Sequence, residues 1–248
     1  MNKLLLIFFA CSTGLPVAQA QPYRFERVFD DTYLSSLYST AAVRDTMGFM
    51  WLGSISGLIR YDGHELREYH VEDSRKPARK GRKIHCLYVS RRGDLWIGTH
   101  GAGLFRYDPA SDRFEQYVHD PADPGSLGDD HIQSVLEDSW GDLWVATEDG
   151  LSRRMAGETS FITYRSGSDN QRGLFNNFIT RVFERSDGQH WIGSETGLYR
   201  VWADAATPGH LVFEHHSLRP PGSDDKHHEF VYQIADCPND AGALWVTT

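Results

Sequence analysis

The chain of 248 residues is poor in sulfur, with three cysteines and four methionines. One cysteine, Cys11, falls inside an apolar N-terminal run. The other two, Cys86 and Cys237, occupy different places in the repeat described below and lack the spacing of a zinc site, so both are expected to be unpaired. Positive charge is also in the minority: 25 Lys and Arg face 34 Asp and Glu, a formal net charge of −9. Nucleic-acid binding needs clustered cations, so this balance argues against it. The one basic stretch, "RKPARKGRK" at 75–83, has no interleaved aromatic residue for base stacking and reads as a solvated loop. After the N-terminal run, no segment is long and apolar enough to cross a bilayer. Also missing are a GxSxG elbow, a phosphate-binding glycine loop and an HExxH pair. The His pairs at 215–216 and 227–228 flank a Pro/Gly/Asp loop and do not have metal-motif spacing. Neither metal nor cofactor is expected, and no catalytic residue is assigned.

The first twenty residues read as an export signal. Lys3 gives the positive start, "LLLIFFA" (4–10) the apolar centre and "AQA" (18–20) the small-residue cleavage site, leaving 21–248 to fold. Acylation of Cys11 is the alternative, disfavoured by the short apolar stretch and the absence of leucine three residues earlier.

What the remainder does have is tryptophan at regular intervals. Trp51, Trp96, Trp144, Trp191 and Trp245 are separated by roughly 45 to 54 residues, a period typical of propeller blades. Each unit resolves into four strand-like pieces. An alternating apolar run ("IHCLYV", "IQSVLED", "ITRVFER", "VYQIAD") leads into a turn ending in glycine ("DTMG", "SRRG", "DSWG", "RSDG"). The tryptophan strand follows, with a small residue two places after it: Gly53, Gly98, Ala146 or Gly193. Small size there suggests close approach by a neighbouring blade. Gly57, Gly103, Gly150 and Gly197 then reverse the chain, each followed by leucine, in positions suited to a left-handed glycine. A third strand carries Arg60, Arg106, Arg153 or Arg200, a recurrence that suggests a repeated structural contact; a fourth strand completes the unit. The expected fold is all-β, an incomplete β-propeller of four-stranded antiparallel blades, with about four full blades and a partial fifth. The tryptophans are expected to act as wedges between blades, each burying on the order of 200 Å².

The phrases "LWIGT…GLFRYD" and "DPADPGSLGDDHIQSVLEDSWGDLWVATEDGL" (120–151) resemble the regulator-propeller repeat of periplasmic sensor regions in bacterial two-component proteins. Departures are Ala146 for glycine, "SRRM" (152–155) for the aromatic and Asp of "RYD", and extra residues in "CPNDAGALW" (237–245). The resemblance implies a periplasmic, non-catalytic ligand-sensing segment of a membrane-bound signalling protein. Full-length relatives are anchored in the inner membrane, carry a kinase or diguanylate cyclase output module, and dimerise. It also implies a small-molecule or carbohydrate ligand. A propeller lyase or hydrolase resembling the streptogramin lyases, and a passive protein-interaction scaffold, are the alternatives.

Ligand contacts are expected where the loops after the tryptophan strands gather, which nominates His100, Glu148, Asp149 and Glu195. The sequence stops within a fifth unit, and "YRFERV" (23–28) reads as an outermost strand without inner partners, so the chain is expected to be a fragment of a larger ring. An unclosed ring exposes strand edges. The expected outcome is self-association in sedimentation experiments; a monodisperse monomer that melts cooperatively would refute it.

Overall fold

The computed structural model describes residues 38–71, 83–167, 173–205, 210–219, 229–238, 240 and 242–248. The export signal, the strand expected at 23–28, most of the basic loop at 75–83 and the histidines at 227–228 lie outside them. Eighteen strands are described and no helix. The first blade comprises β1 (Ser39–Arg44), β2 (Met50–Ser54), β3 (Leu58–Tyr61) and β4 (Leu66–Tyr69). The second comprises β5 (Ile84–Val89), β6 (Leu95–Thr99), β7 (Leu104–Asp108) and β8 (Arg113–Tyr117). The third comprises β9 (Ile132–Glu137), β10 (Leu143–Thr147), β11 (Gly150–Arg154) and β12 (Ile162–Tyr164). The fourth comprises β13 (Ile179–Glu184), β14 (His190–Ser194), β15 (Gly197–Ala203) and β16 (Leu211–His216). A fifth unit contributes β17 (Gln233–Asp236) and β18 (Leu244–Thr247). Each sheet is an antiparallel meander in chain order. The first strands β1, β5, β9, β13 and β17 touch one another in sequence, so they form the inner wall of the arc.

Stacking of one blade on the next creates four separate cores. Trp51, Leu58 and Tyr69 meet Ile84, Leu95, Ile97, Phe105 and Tyr107 of the second blade. Trp96 and Leu104 meet Ile132, Val135, Leu143 and Val145 of the third. Trp144, Ala146 and Leu151 meet Ile179, Val182, Ile192 and Tyr199 of the fourth. Leu198, with Trp191 at its margin, meets Val231 and Ile234 of the fifth unit. In each joint the indole belongs to the earlier blade and the β-branched residues to the later one. Strand alternation produces this: the tryptophan points forward, and the residue after it (Ile97, Val145, Ile192) points back.

The small residue two places after tryptophan faces a β-branched residue at or just before the start of the next inner strand. A Cβ added at Gly53 would lie 2.6 Å from Ile84 Cγ2, and one at Gly193 would lie 2.5 Å from Val231 Cγ1. The reversing glycines have φ of +150°, +78°, +113° and +124° in chain order, and at Gly150 a side chain would also meet the Tyr164 carbonyl. Glycine is therefore required there on both conformational and steric grounds.

The tryptophans are not equivalent. Trp51, Trp96 and Trp144 are buried, Trp191 is half-buried and Trp245 is 60% exposed. Over Trp191 the described strands of the fifth unit are β17 and β18. Trp51, Trp96 and Trp144 are packed between successive described blades. Arginine recurs for a different reason from a shared carboxylate: Arg60, Arg106, Arg153 and Arg200 each pair across the strands with the tryptophan of their own blade. Among the described residues, ion pairs within 4 Å are formed by Arg106 (Asp94, Glu115) and Arg153 (Asp142). Phe49 stands where those blades have Asp94 and Asp142, and Arg60 lies 4.5 Å above its ring instead.

The turn after the inner strand is tied to the indole. In the first blade Asp45 Oδ1 accepts from the N–H groups of Met47 and Phe49, and Oδ2 accepts from Trp51 Nε1 at 2.8 Å. Asp138 repeats this with Trp140 N, Asp142 N and Trp144 Nε1. In the second blade Ser90 Oγ accepts from Arg92 N and Asp94 N but cannot reach the indole. Trp96 Nε1 is left buried with no partner, as is Trp191 Nε1 where Arg185 opens the turn. A buried unsatisfied donor costs roughly 1–3 kcal/mol. Ser90→Asp is expected to stabilise the fold by about 1 kcal/mol, read as a higher urea midpoint at unchanged slope. Crowding against Asp94 is tolerable, because Asp138 and Asp142 already coexist in the third blade.

Candidate functional site

Two faces of the arc carry chemistry. The loop face is formed by the starts of the inner strands and the hairpins after the tryptophan strands. Four inner strands, β1, β5, β9 and β13, have an irregularity near their start: the pairing register skips Thr40, His85, Gln133 and Thr180. A bulge leaves one residue outside the ladder and re-aims its side chain. Thr40 and Thr180 use this freedom to donate to the Ile84 and Val231 carbonyls of the following unit, at 2.5 and 2.6 Å. Gln133 Nε2 instead donates to Glu148 Oε1 at 3.0 Å.

His100 is bridged to His131, and the rings meet edge to face with centroids 4.8 Å apart. His131 Nδ1 is 2.9 Å from Asp129 Oδ1, and the Glu148 N–H donates to the His131 carbonyl. His100 and Glu148 therefore belong to one polar group that includes His131, Asp129 and Gln133. Asp149 is differently employed: Oδ2 accepts from Arg165 Nε at 3.0 Å and Oδ1 from Asn177 Nδ2 at 2.8 Å, binding a hairpin, an outer strand end and the lead into β13 together. Glu195 is exposed, with Asn176 Nδ2 at 3.5 Å. The four residues nominated from the sequence thus follow one another around three blades, two of them in a shared cluster, one committed to holding loops, one open to solvent.

His85 stands among cations. Burial lowers its pKa first, and the charges of Lys83, His100 and Arg181 lower it further. Cys86 beside it is buried and unpaired, with its pKa raised by burial to about 12. It is a thiol at neutral pH and hence a poor nucleophile. Cys237 is also unpaired. His215 Nε2 lies 2.7 Å from the Thr196 carbonyl, and its ring packs on Tyr199 and Phe175. Among the described residues no group of three or more His, Cys, Asp or Glu is arranged to hold a metal. Two open grooves, of about 720 Å³ beside Phe175, Trp202 and Phe213 and about 680 Å³ beside Arg67, Tyr69 and Phe114, contain none of the four nominated residues.

The opposite face holds the joints closed. Asp138 accepts from His190 Nε2 of the next blade at 3.2 Å in addition to its own turn and indole. His190 lies between Trp144, 5.1 Å away, and the 66%-exposed Trp140, stacked at 26°. Ser139 N donates to Glu184, Ser186 N to Asp236, and Arg185 Nε to Asp236 at 2.9 Å, each bond crossing one joint. His190 stands where the other units have Met50, Leu95, Leu143 and Leu244, and that change of residue type was its sequence signal.

Residues 79–101 and 126–149 match the family model described as the two-component regulator propeller. The chain carries regulator-propeller repeats. Over 106 residues it is 29% identical to histidine kinase P4 of Formosa agariphila, covering 42% of this chain and 8% of that protein. The extracellular domain of a hybrid two-component system from B. thetaiotaomicron superposes with a TM-score of 0.67 at 24% identity, over 84% of this chain and 27% of that one. Virginiamycin B lyase from Staphylococcus aureus superposes at 0.57 with 16% identity, over 84% and 62%. At such identities the structural likeness is one of fold, and the regulator-propeller repeats distinguish this chain within that fold.

Burial would raise the Asp138 pKa, but bonds from His190, Trp144 and the Asp142 N–H outweigh it and leave the pKa below the usual 3.8. A carboxylate with a depressed folded pKa stabilises the fold above its unfolded pKa and loses that contribution as pH falls through the folded value. Asp138→Asn is expected to lower stability at pH 7 by roughly 1–3 kcal/mol. The difference from the parent should shrink below about pH 4 in urea titrations run at several pH values.

Proposed function

We propose that this propeller is the ligand-sensing part of an exported, membrane-linked signalling protein and performs no chemistry itself. The observation that carries this reading is the pair of regulator-propeller repeats at 79–101 and 126–149. The extracellular location of the hybrid two-component domain and the kinase name of the sequence relative point the same way, and they agree with an export signal at 1–20 and a periplasmic address. Dimerisation of the full-length protein belongs to the same reading. The ligand is a small molecule or carbohydrate fragment held on the loop face by His100, Glu148 and Glu195, with Asp149 fixing the loops around them. These side chains offer hydrogen-bonding groups suited to hydroxyls, and a ligand spanning two blades would bias their relative setting through its different affinity for the two arrangements.

The test is a melting series of the purified chain against a panel of neutral and charged oligosaccharides, with product analysis of the same mixtures. A ligand present at a hundred times its Kd should stabilise by about 2.7 kcal/mol, a shift of several degrees. His100→Ala and Glu148→Gln should remove the shift while leaving the unliganded melting temperature nearly unchanged. Conversion of the ligand to product, abolished by Glu148→Gln, would instead establish an enzyme and sink the sensor reading.

A further inference from the structure

Arg181 occupies an unusual place in the inner wall. It lies one residue past the bulge at Thr180 and pairs with Gly193. The corresponding residues, each paired with the position two after tryptophan, are Ala41, Cys86, Ser134 and Gln233, so Arg181 is the one charge in that ring of positions. It is half-buried, and its Nε donates to the Tyr232 carbonyl at 3.3 Å. Among the described residues no carboxylate forms an ion pair with it. The wall on the side of the second blade adds more positive character, since Arg181 is close enough to perturb His85, which also feels Lys83 and His100. Two acids of the loop face are engaged by other residues: Glu148 by Gln133, Asp129 by His131.

A guanidinium withdrawn from water without a counter-charge is costly, and proteins ordinarily pair such groups. The absence of a carboxylate partner among the described residues, in a chain of net charge −9, is therefore informative. We infer that the inner wall beside Arg181, at the loop-face end of β5 and β13, is a binding site for an oxyanion: the carboxylate or sulfate group of a small solute. The Nη atoms of Arg181 present a planar fork to two oxygens of such a group, Lys83 adds positive field, and the neutral His85 imidazole offers a hydrogen bond. Binding would supply the counter-charge that the described residues do not. This site does not depend on the sensor reading, because an anion can bind here whether or not the protein signals.

Calorimetric titration of the 248-residue chain at pH 7 with sodium glucuronate, sodium sulfate and, as the neutral control, glucose tests it. Saturable binding of at least one anion and none of glucose is expected. Glucuronate alone would identify a carboxylate ligand, and sulfate binding a wider oxyanion site. Arg181→Gln should weaken binding by at least about tenfold, the loss of one charge-assisted contact. Arg181→Lys should fall between that variant and the parent, and should settle the matter if the Gln variant does not fold. Arg200→Gln, at an exposed third-strand position, should bind like the parent. Failure of both anions to saturate up to about 50 mM, or parental affinity in Arg181→Gln, would overturn the inference. A His100-dependent melting shift with neutral sugars in the same preparation would leave the sensor reading standing without it.

Discussion

The arc rests on one contact repeated at every joint: a tryptophan and a residue with little or no side chain on one blade, closed against a β-branched residue at the start of the next. The small residue matters as much as the large one. With a Cβ at Gly53 or Gly193 the inner strand of the following unit could not approach, and the indole forward of it would then face a gap. Dispersion falls steeply with separation, so a gap even smaller than a water molecule forfeits much of the indole's contact energy. Ala146 is accommodated in the third joint, where it packs in the same core as Ile179 and Trp144. A joint of this kind is local, and stability accumulates by addition of neighbours, as in other repeat proteins. Trp51, Trp96 and Trp144, each with a four-stranded blade described ahead of it, are buried.

Much of this could be read from the residues. A tryptophan followed by a small residue, a glycine and a leucine survives in every full unit because both sheet packing and hairpin reversal constrain it, and the four-strand division follows. The first inner strand was the exception. Its sequence, STAAVR, has little of the apolar alternation that marks β5, β9 and β13, yet it forms β1 because its register with β2 and its contact with β5 compensate. The turn sequences DTMG, SRRG, DSWG and RSDG disclosed a turn, but not that the opening aspartate reaches an indole six residues on; that consequence exists only once the hairpin is paired.

The candidate site was less legible for a related reason. Polar residues after the tryptophan strand can be picked out by position, but their availability depends on groups far away in the chain. Asp149 illustrates it: Arg165 and Asn177 reach it from outside its hairpin, and nothing in "TEDG" announces either. His85, Gln133 and Arg181 went unnoticed because they lie within runs that read as inner strands. Which of them leaves the ladder is fixed by a register skip that no local pattern encodes.

That skip also separates two tasks within one strand. At their far ends, three inner strands serve the joints: Glu184 and Asp236 receive turn N–H groups from the blade before, and Asp138, just past β9, gathers its own turn, an indole and the following His190. Changing those residues alters how blades are held. At the strand start, the bulged residue differs from blade to blade: Thr40 and Thr180 bond across the joint, whereas Gln133 turns to Glu148 on the loop face. A propeller can thus vary what its loop face recognises while the opposite face conserves the ring. The two ends remain mechanically linked through a strand only six residues long. Any ligand that draws two loop-face ends together must accordingly work against carboxylate bonds across the same joint, and the balance between them sets how far binding at one face can be felt at the other.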